Sequence, residues 1–290
     1  MKRIFLFILT NLAVLALLSL VLFIVENAFG VHLMRGGTGG LLVIAAIFGF
    51  GGSLISLALS KWTAKRMMGV RVIQSPQTEL ERWLVGAVKR WADEVRIGMP
   101  EVGIFDAEEM NAFATGARRN AALVAVSSGL LRNMSRTQVE AVLGHEISHV
   151  ANGDMVTLAL LQGVLNTFVI FLARIIGGIV DRALLRNDRQ DSGIGFFLTT
   201  MVAQFVLGIL ASVVVCWYSR RREFRADRGG ADLAGGANMI DALQMLKRSL
   251  GQPLPPQMQA FGINTGSSTG IMRLFMTHPP LDERIAALKT

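Results

Sequence analysis

Ser135-Arg136-Thr137-Gln138, followed by Val139-Glu140-Ala141-Val142-Leu143-Gly144-His145-Glu146-Ile147-Ser148-His149-Val150, is the stretch on which the reading of this chain turns. A serine with a glutamine three residues later has the form of a capping box, so a helix is expected to begin there. Val139, Val142, Leu143, Ile147 and Val150 recur at helical spacing and give it an apolar face. On a helix a four-residue step turns about 400° and rises about 6 Å, so His145 and His149 face one way. Two imidazole nitrogens so placed can share one zinc ion, and Glu146 beside them can handle a bound water. The alternative is a chance match of three positions on a surface helix. The helical context favours the metal site.

Outward from this helix the composition becomes too apolar for an ordinary soluble domain. The chain is 52% hydrophobic, and its mean hydropathy is +0.47. Four runs carry the excess. Residues 4–25 form an uncharged stretch of 22, about 33 Å as a helix and enough to cross a bilayer. It is long for a signal peptide and no small-residue cleavage site follows, so a retained anchor is expected. Residues 41–60 are a second uncharged run. Residues 155–180 are a third, carrying Gln162, Asn166 and Arg174, and residues 193–217 a fourth, carrying Gln204. An arginine in mid-membrane is costly, which makes the third run the weakest span. Two apolar helical hairpins are the expected arrangement. The third run begins six residues after His149, so the metal should lie close to the membrane surface.

The net charge of +8 follows these runs. Lys2 and Arg3 precede the first; Lys61, Lys65, Arg66 and Arg71 follow the second; Arg220, Arg221, Arg222 and Arg225 follow the fourth. The connection containing Arg35 and that containing Arg186 carry no such excess. The positive-inside rule then puts both termini and both polar regions in the cytosol. Anionic headgroups suffice as partners for these clusters, and no nucleic acid is implied. The single cysteine, Cys216, allows no intrachain disulfide, consistent with a reducing compartment.

The chain thus divides into residues 1–70, a transmembrane hairpin; 71–154, a cytosolic region with the histidine helix; 155–218, a second hairpin; and 219–290, a second polar region. The first polar region opens with an amphipathic helix whose stripe is Leu80, Trp83, Leu84, Ala87, Val88, Trp91 and Val95. Short strands are expected at 102–105, 111–115 and 123–127. A further helix is expected over 238–250, followed by a mobile loop rich in Gly, Pro, Ser and Thr at 251–270.

A zinc hydrolase needs three protein ligands and an open position. His278 is one candidate for the third. Asp154 is too near His149 in sequence to reach round easily. Glu223 and Asp227 lie four apart on an expected helix. If the third and fourth runs form a hairpin, that helix leaves the membrane where the His145 helix enters it, which favours Glu223 as ligand with Asp227 behind it, holding a histidine N–H.

With these pieces assembled the chain resembles the HtpX-type membrane-bound zinc endopeptidases, relatives of the CAAX prenyl protease family. The matching motifs are Asn111-Ala112-Phe113-Ala114, His145-Glu146-Ile147-Ser148-His149 with Asn152-Gly153-Asp154, Glu223-Phe224-Arg225-Ala226-Asp227, and His278-Pro279-Pro280 with Arg284. The resemblance implies a mainly α membrane protein with two apolar hairpins and a cytosolic α+β, zincin-like protease domain built on a small sheet. It implies one zinc per chain on His145, His149 and Glu223, with Glu146 as catalytic base and Asp227 and Asp154 supporting the ligands. His278 or Arg284 would stabilise the oxyanion. Asn111-Ala112-Phe113-Ala114 would be an edge strand aligning substrate, the alternative being an interior strand. The implied role is quality control of damaged membrane proteins in the bacterial inner membrane, with unfolded or membrane polypeptides as substrates. The rivals are a membrane scaffold or transporter with a structural zinc, and a client-binding inactive homologue. The same ligands could hold cobalt or manganese. No feature of the sequence specifies an oligomeric state.

Overall fold

The computed structural model describes residues 20, 23–24, 37–185, 194–250 and 271–290. Most of the first apolar run, the basic pair Lys2 and Arg3, the connections containing Arg35 and Arg186, and the loop expected at 251–270 lie outside the described residues. In chain order the elements are α1 (Gly37–Met68), β1 (Arg71–Val72), α2 (Glu79–Glu94), β2 (Glu101–Phe105), β3 (Ala112–Thr115), β4 (Leu123–Ser127), α3 (Ser128–Asn133), α4 (Arg136–Asn152), α5 (Asp154–Leu185), α6 (Ile194–Ala234), α7 (Gly236–Leu250) and α8 (Leu281–Leu288), with short 3-10 turns at Arg119–Ala121 and Ile271–Phe275.

The chain divides into two compact units, Met1–Ser56 with Leu158–Val215, and Leu57–Thr157 with Cys216–Thr290. Among the described residues, three helices are long and apolar enough to cross a membrane: Gly37–Met68, Asp154–Asp181 and Ile194–Ala234, with mean hydropathies of 2.3, 2.0 and 2.2. Within the first unit the Ser53 hydroxyl donates to the Ala159 carbonyl at 2.7 Å, a hydrogen bond between α1 and α5 that satisfies a polar side chain in an apolar setting. The third run is continuous helix, and Arg174 within it is half-buried.

The second unit is built on a four-stranded sheet of order β1-β2-β4-β3. Leu123-Val124-Ala125-Val126-Ser127 is apolar on both faces, and every residue of β4 is buried, as befits an inner strand. β2 runs parallel to β4, pairing Val102 with Val124 and Ile104 with Val126. β3 runs antiparallel to β4, pairing Ala112 with Val126 and Ala114 with Val124, and forms one edge of the sheet. Helices α2 and α4 both start at capping boxes, on Thr78 with Glu81 and on Ser135 with Gln138. They share a core with the sheet in which Leu84, Val88, Val124, Leu130, Leu143, Ile147 and Leu243 are buried. Trp83 and Trp91 pack against this core. Their indole N–H groups donate to the Glu140 carboxylate at 3.0 Å and to the Glu140 carbonyl at 3.2 Å.

Candidate active site

The apolar face of α4 faces the core, and its other flank carries His145, Glu146 and His149. The helix ends at Gly153, whose φ of 68° is left-handed and closes the last turn without a Cβ clash. That turn brings Asp154, the first residue of α5, back onto the ring it follows: Asp154 Oδ2 lies 2.6 Å from His149 Nδ1. Asp154 is fully buried, and its other oxygen accepts from Arg225 at 2.9 Å. The five-residue spacing that disfavours Asp154 as a ligand suits it as an orienter of the ring.

The partner helix is the Cys216–Ala234 part of α6, which crosses α4 at closest approach through glycine. A Cβ on Gly230 would lie 3.0 Å from the His145 backbone nitrogen and 3.2 Å from its Cα. This contact sets His145 against the residues one and two turns earlier on α6, Asp227 and Glu223. Gly230→Val should therefore push the helices apart. Valine is only slightly worse than the mean in a helix, but overpacking of this kind costs about 1–3 kcal/mol. The expected result is a lower melting temperature together with weaker metal binding, measured by thermal unfolding and metal titration. An unchanged metal affinity would show that the crossing does not position the site.

The two ring Nε2 atoms of His145 and His149 lie 3.1 Å apart. Glu223 Oε1 is 3.3 Å from His149 Nε2, and Oε2 is 3.7 Å from His145 Nε2. Ligand atoms from these three buried residues all fall within 4.8 Å of one another. The other ring nitrogens point away from that centre: His145 Nδ1 meets Asp227 Oδ1 at 2.9 Å, as His149 Nδ1 meets Asp154. Each tautomer is thus set by a carboxylate, leaving Nε2 for a metal. Burial works against charge on His149, but Asp154 and Glu223 outweigh it and push its pKa up to about 9.

Arg284 comes from α8 and is buried. Its guanidinium donates to both oxygens of Asp227, at 2.7 and 2.5 Å, and lies 3.4 Å from Glu223 Oε2. Burial opposes its charge, yet Asp227 raises its pKa further. His278 has a largely exposed ring, and its Nδ1 is 2.8 Å from Glu223 Oε2. Glu146 is half-buried and has no hydrogen bond or ion pair among the described residues.

A cleft of about 140 Å³ opens beside these groups. Its lining combines His145, Glu146, Glu223, His278 and Arg284 with the apolar Leu130, Val142, Met239 and Leu243. Met110, Asn111 and Ala112 border it, so the edge strand begins at the cleft. Phe113 turns to the Phe105 ring instead, with centroids 5.5 Å apart, and Ala114 lies farther along β3. The residues that sequence reasoning passed over are Arg225, counted only among the basic cluster, and the apolar wall from α7. Arg225 sits inside the quoted Glu223-to-Asp227 motif, which was the available signal.

A helix-borne pair of histidines, a buried glutamate from a second helix and a cleft bordered by an open strand make the construction of a metal-dependent hydrolase. The model of Peptidase family M48 matches residues 78–290, and the chain belongs to that family. It is accordingly a metallopeptidase, embedded in a membrane and acting on polypeptides. It is 60% identical to a "Protease HtpX" of Alkalilimnicola ehrlichii, covering 100% of this chain and 98% of that one. It is 58% identical to a "Protease HtpX homolog" of Thiobacillus denitrificans, covering 100% and 99%. The crystal structure of S. mikatae Ste24p shares the fold, with a TM-score of 0.66 at 17% identity over 100% of this chain and 67% of that one.

Proposed function

We propose that this chain is a zinc endopeptidase of the bacterial inner membrane that hydrolyses misfolded or damaged membrane proteins on the cytosolic side. The observation that carries the reading is the convergence of His145, His149 and Glu223 within 4.8 Å, with Glu146 beside them in an open cleft. The names of the full-length relatives support peptidase activity. The basic clusters after the second and fourth apolar runs support a cytosolic site. A purely structural metal site would be closed by four protein ligands and would gain nothing from Glu146 or a cleft.

The donor set fits zinc. Two imidazoles with their Nδ1 atoms already engaged and one carboxylate form the usual three-ligand pattern of a hydrolytic site. Among the described residues Glu223 Oε1 is buried without a hydrogen bond, 3.3 Å from His149 Nε2, an oxygen that a cation would satisfy. When bound, zinc supplies Lewis acidity to water and to the scissile carbonyl.

The chain's own groups do the rest. Glu146 takes a proton from water in the cleft and returns it to the leaving amine nitrogen. His278 Nδ1–H is directed at Glu223, so it is with both ring nitrogens protonated that His278 can also donate from Nε2 to the carbonyl oxygen as charge develops there. Arg284 holds Asp227 and Glu223 in place and through Asp227 orients His145. The Asn111 carbonyl accepts from Ser127 N–H, and hydrogen bonding alternates along an antiparallel pair. The backbone groups of Ala112 and Ala114 therefore face the open edge and can align an extended substrate without regard to its side chains.

Purified protein should degrade an unfolded polypeptide, lose that activity in a zinc chelator, and regain it when zinc is restored. Full activity after complete metal removal would sink the proposal.

A further inference from the structure

We propose that the turn Ile271–Phe275, with Trp217, is an anchor in the lipid interface, and that this anchor ties the seating of His278 to contact with the bilayer. The turn presents large apolar side chains outward: Met272 is 73% exposed, Leu274 44% and Phe275 42%. Its backbone is fastened to one short segment of α6. Arg220 donates to the Leu274 carbonyl at 3.2 Å and to the Met276 carbonyl at 2.6 Å. The Cys216 thiol donates to the Phe275 carbonyl at 3.4 Å.

That segment is where the composition of α6 changes. The apolar run ends at Trp217, and Arg220, Arg221 and Arg222 follow. Tryptophan backed by arginines after an apolar run is the pattern of the headgroup level. Trp217 is itself exposed, with the Arg221 guanidinium 5.4 Å from its ring centroid. Four large apolar side chains therefore stand out around the Cys216-to-Arg220 segment, beside exposed Arg221, a cation suited to lipid phosphates. On a surface in water such a group is a liability; in the interface it is buried as an amphipathic element is. Arg273, the one charged residue of the turn, is paired with Glu283.

The consequence for the site runs along the backbone. His278 lies three residues beyond Phe275 and reaches Glu223 Oε2 at 2.8 Å. A turn seated in lipid and clamped by Arg220 fixes the start of that short connection. Release of the turn frees His278 from Glu223 and from the cleft. This consequence rests on the catalytic reading above; the lipid contact does not.

The test uses the full chain in lipid nanodiscs. Cys216→Ser replaces the native thiol with a hydroxyl donor, and Met272→Cys is then labelled with an environment-sensitive fluorophore. Lipids carrying a quencher just below the headgroup should abolish most of its emission, while aqueous iodide leaves most of it. Free quenching by iodide would overturn the proposal. So would protection from both quenchers, which would mean that protein and not lipid covers the turn. In a second arm, Met272→Asp with Leu274→Asp and Phe275→Asp should lower peptide turnover by about tenfold, less than the loss of a whole oxyanion donor, with bound metal unchanged. Met272→Leu with Leu274→Met and Phe275→Leu should keep turnover. Equal turnover in the aspartate and apolar variants would overturn the link to His278. A wild-type chain that cleaves nothing would count against the catalytic reading alone, since the quenching result stands without it.

Discussion

Glu146→Gln is expected to hydrolyse peptide at least about a hundredfold more slowly than the unaltered chain, the usual scale for a lost general base, while its metal stays at about one ion per chain, as the three-ligand site requires. Glutamine keeps the size and polarity of the side chain but cannot accept a proton at neutral pH. Glu146 is half-buried at the cleft and has no hydrogen bond or ion pair among the described residues, so the exchange disturbs no structural contact seen there. The three ligand groups keep their carboxylate supports, Asp227 on His145 and Asp154 on His149. The loss should therefore fall on the chemical step. Turnover of a fluorogenic peptide, alongside elemental analysis for metal, separates the two effects. Unimpaired turnover would remove Glu146 from the mechanism, and loss of the metal would make it a ligand instead. The variant should also survive purification intact, since an active protease can cut its own loops.

What could be read from the sequence was local. The Ser135 and Gln138 pair marks the start of α4 because a capping box is closed within four residues. Leu123–Ser127 reads as a strand from its own composition, and the structure has it at those bounds. The parallel pairing of β2 with β4 was not legible, and the edge position of β3 was expected only from the part that a substrate-aligning strand would play. Those depend on which strand lies beside which, and the short alternating segments here do not encode it. The histidine pair was legible for the same local reason. Glu223, 78 residues from His145, was reached only through the expected hairpin topology, and the close crossing through which Gly230 meets the His145 backbone was not legible. Arg284 shows the limit most clearly. As a motif residue it was a candidate to stabilise the oxyanion beside His278. Its guanidinium is instead engaged with Asp227 and Glu223, deep in the unit, which gives it a positioning part. Asp154 is the converse case: its closeness to His149 in sequence counted against it as a ligand, and the turn at Gly153 folds it back onto the ring, where the resemblance implied a supporting residue.

Glu223→Ala should lose most of its bound metal and all measurable peptidase activity. The carboxylate supplies the one oxygen among the three converging ligand groups, and with two imidazoles alone the site falls below the three protein ligands that hold a catalytic zinc. Its removal also strips His278 of its Glu223 contact and leaves Asp227 as the carboxylate paired with the Arg284 guanidinium. That remaining pair still neutralises Arg284, so the variant should fold. Asp227→Ala provides the graded comparison. It keeps all three ligands but frees the His145 ring and leaves buried Arg284 without its two strongest hydrogen bonds. Metal affinity should then fall by about ten- to a hundredfold, the range for partners that act through a ligand, with some activity recovered at high zinc. Competition against a chromophoric chelator reads both affinities, and circular dichroism confirms that the helices persist. If Glu223→Ala binds zinc as tightly as the unaltered chain while His278→Ala loses it, the third ligand is His278, and the oxygen of Glu223 serves only to hold that ring in place.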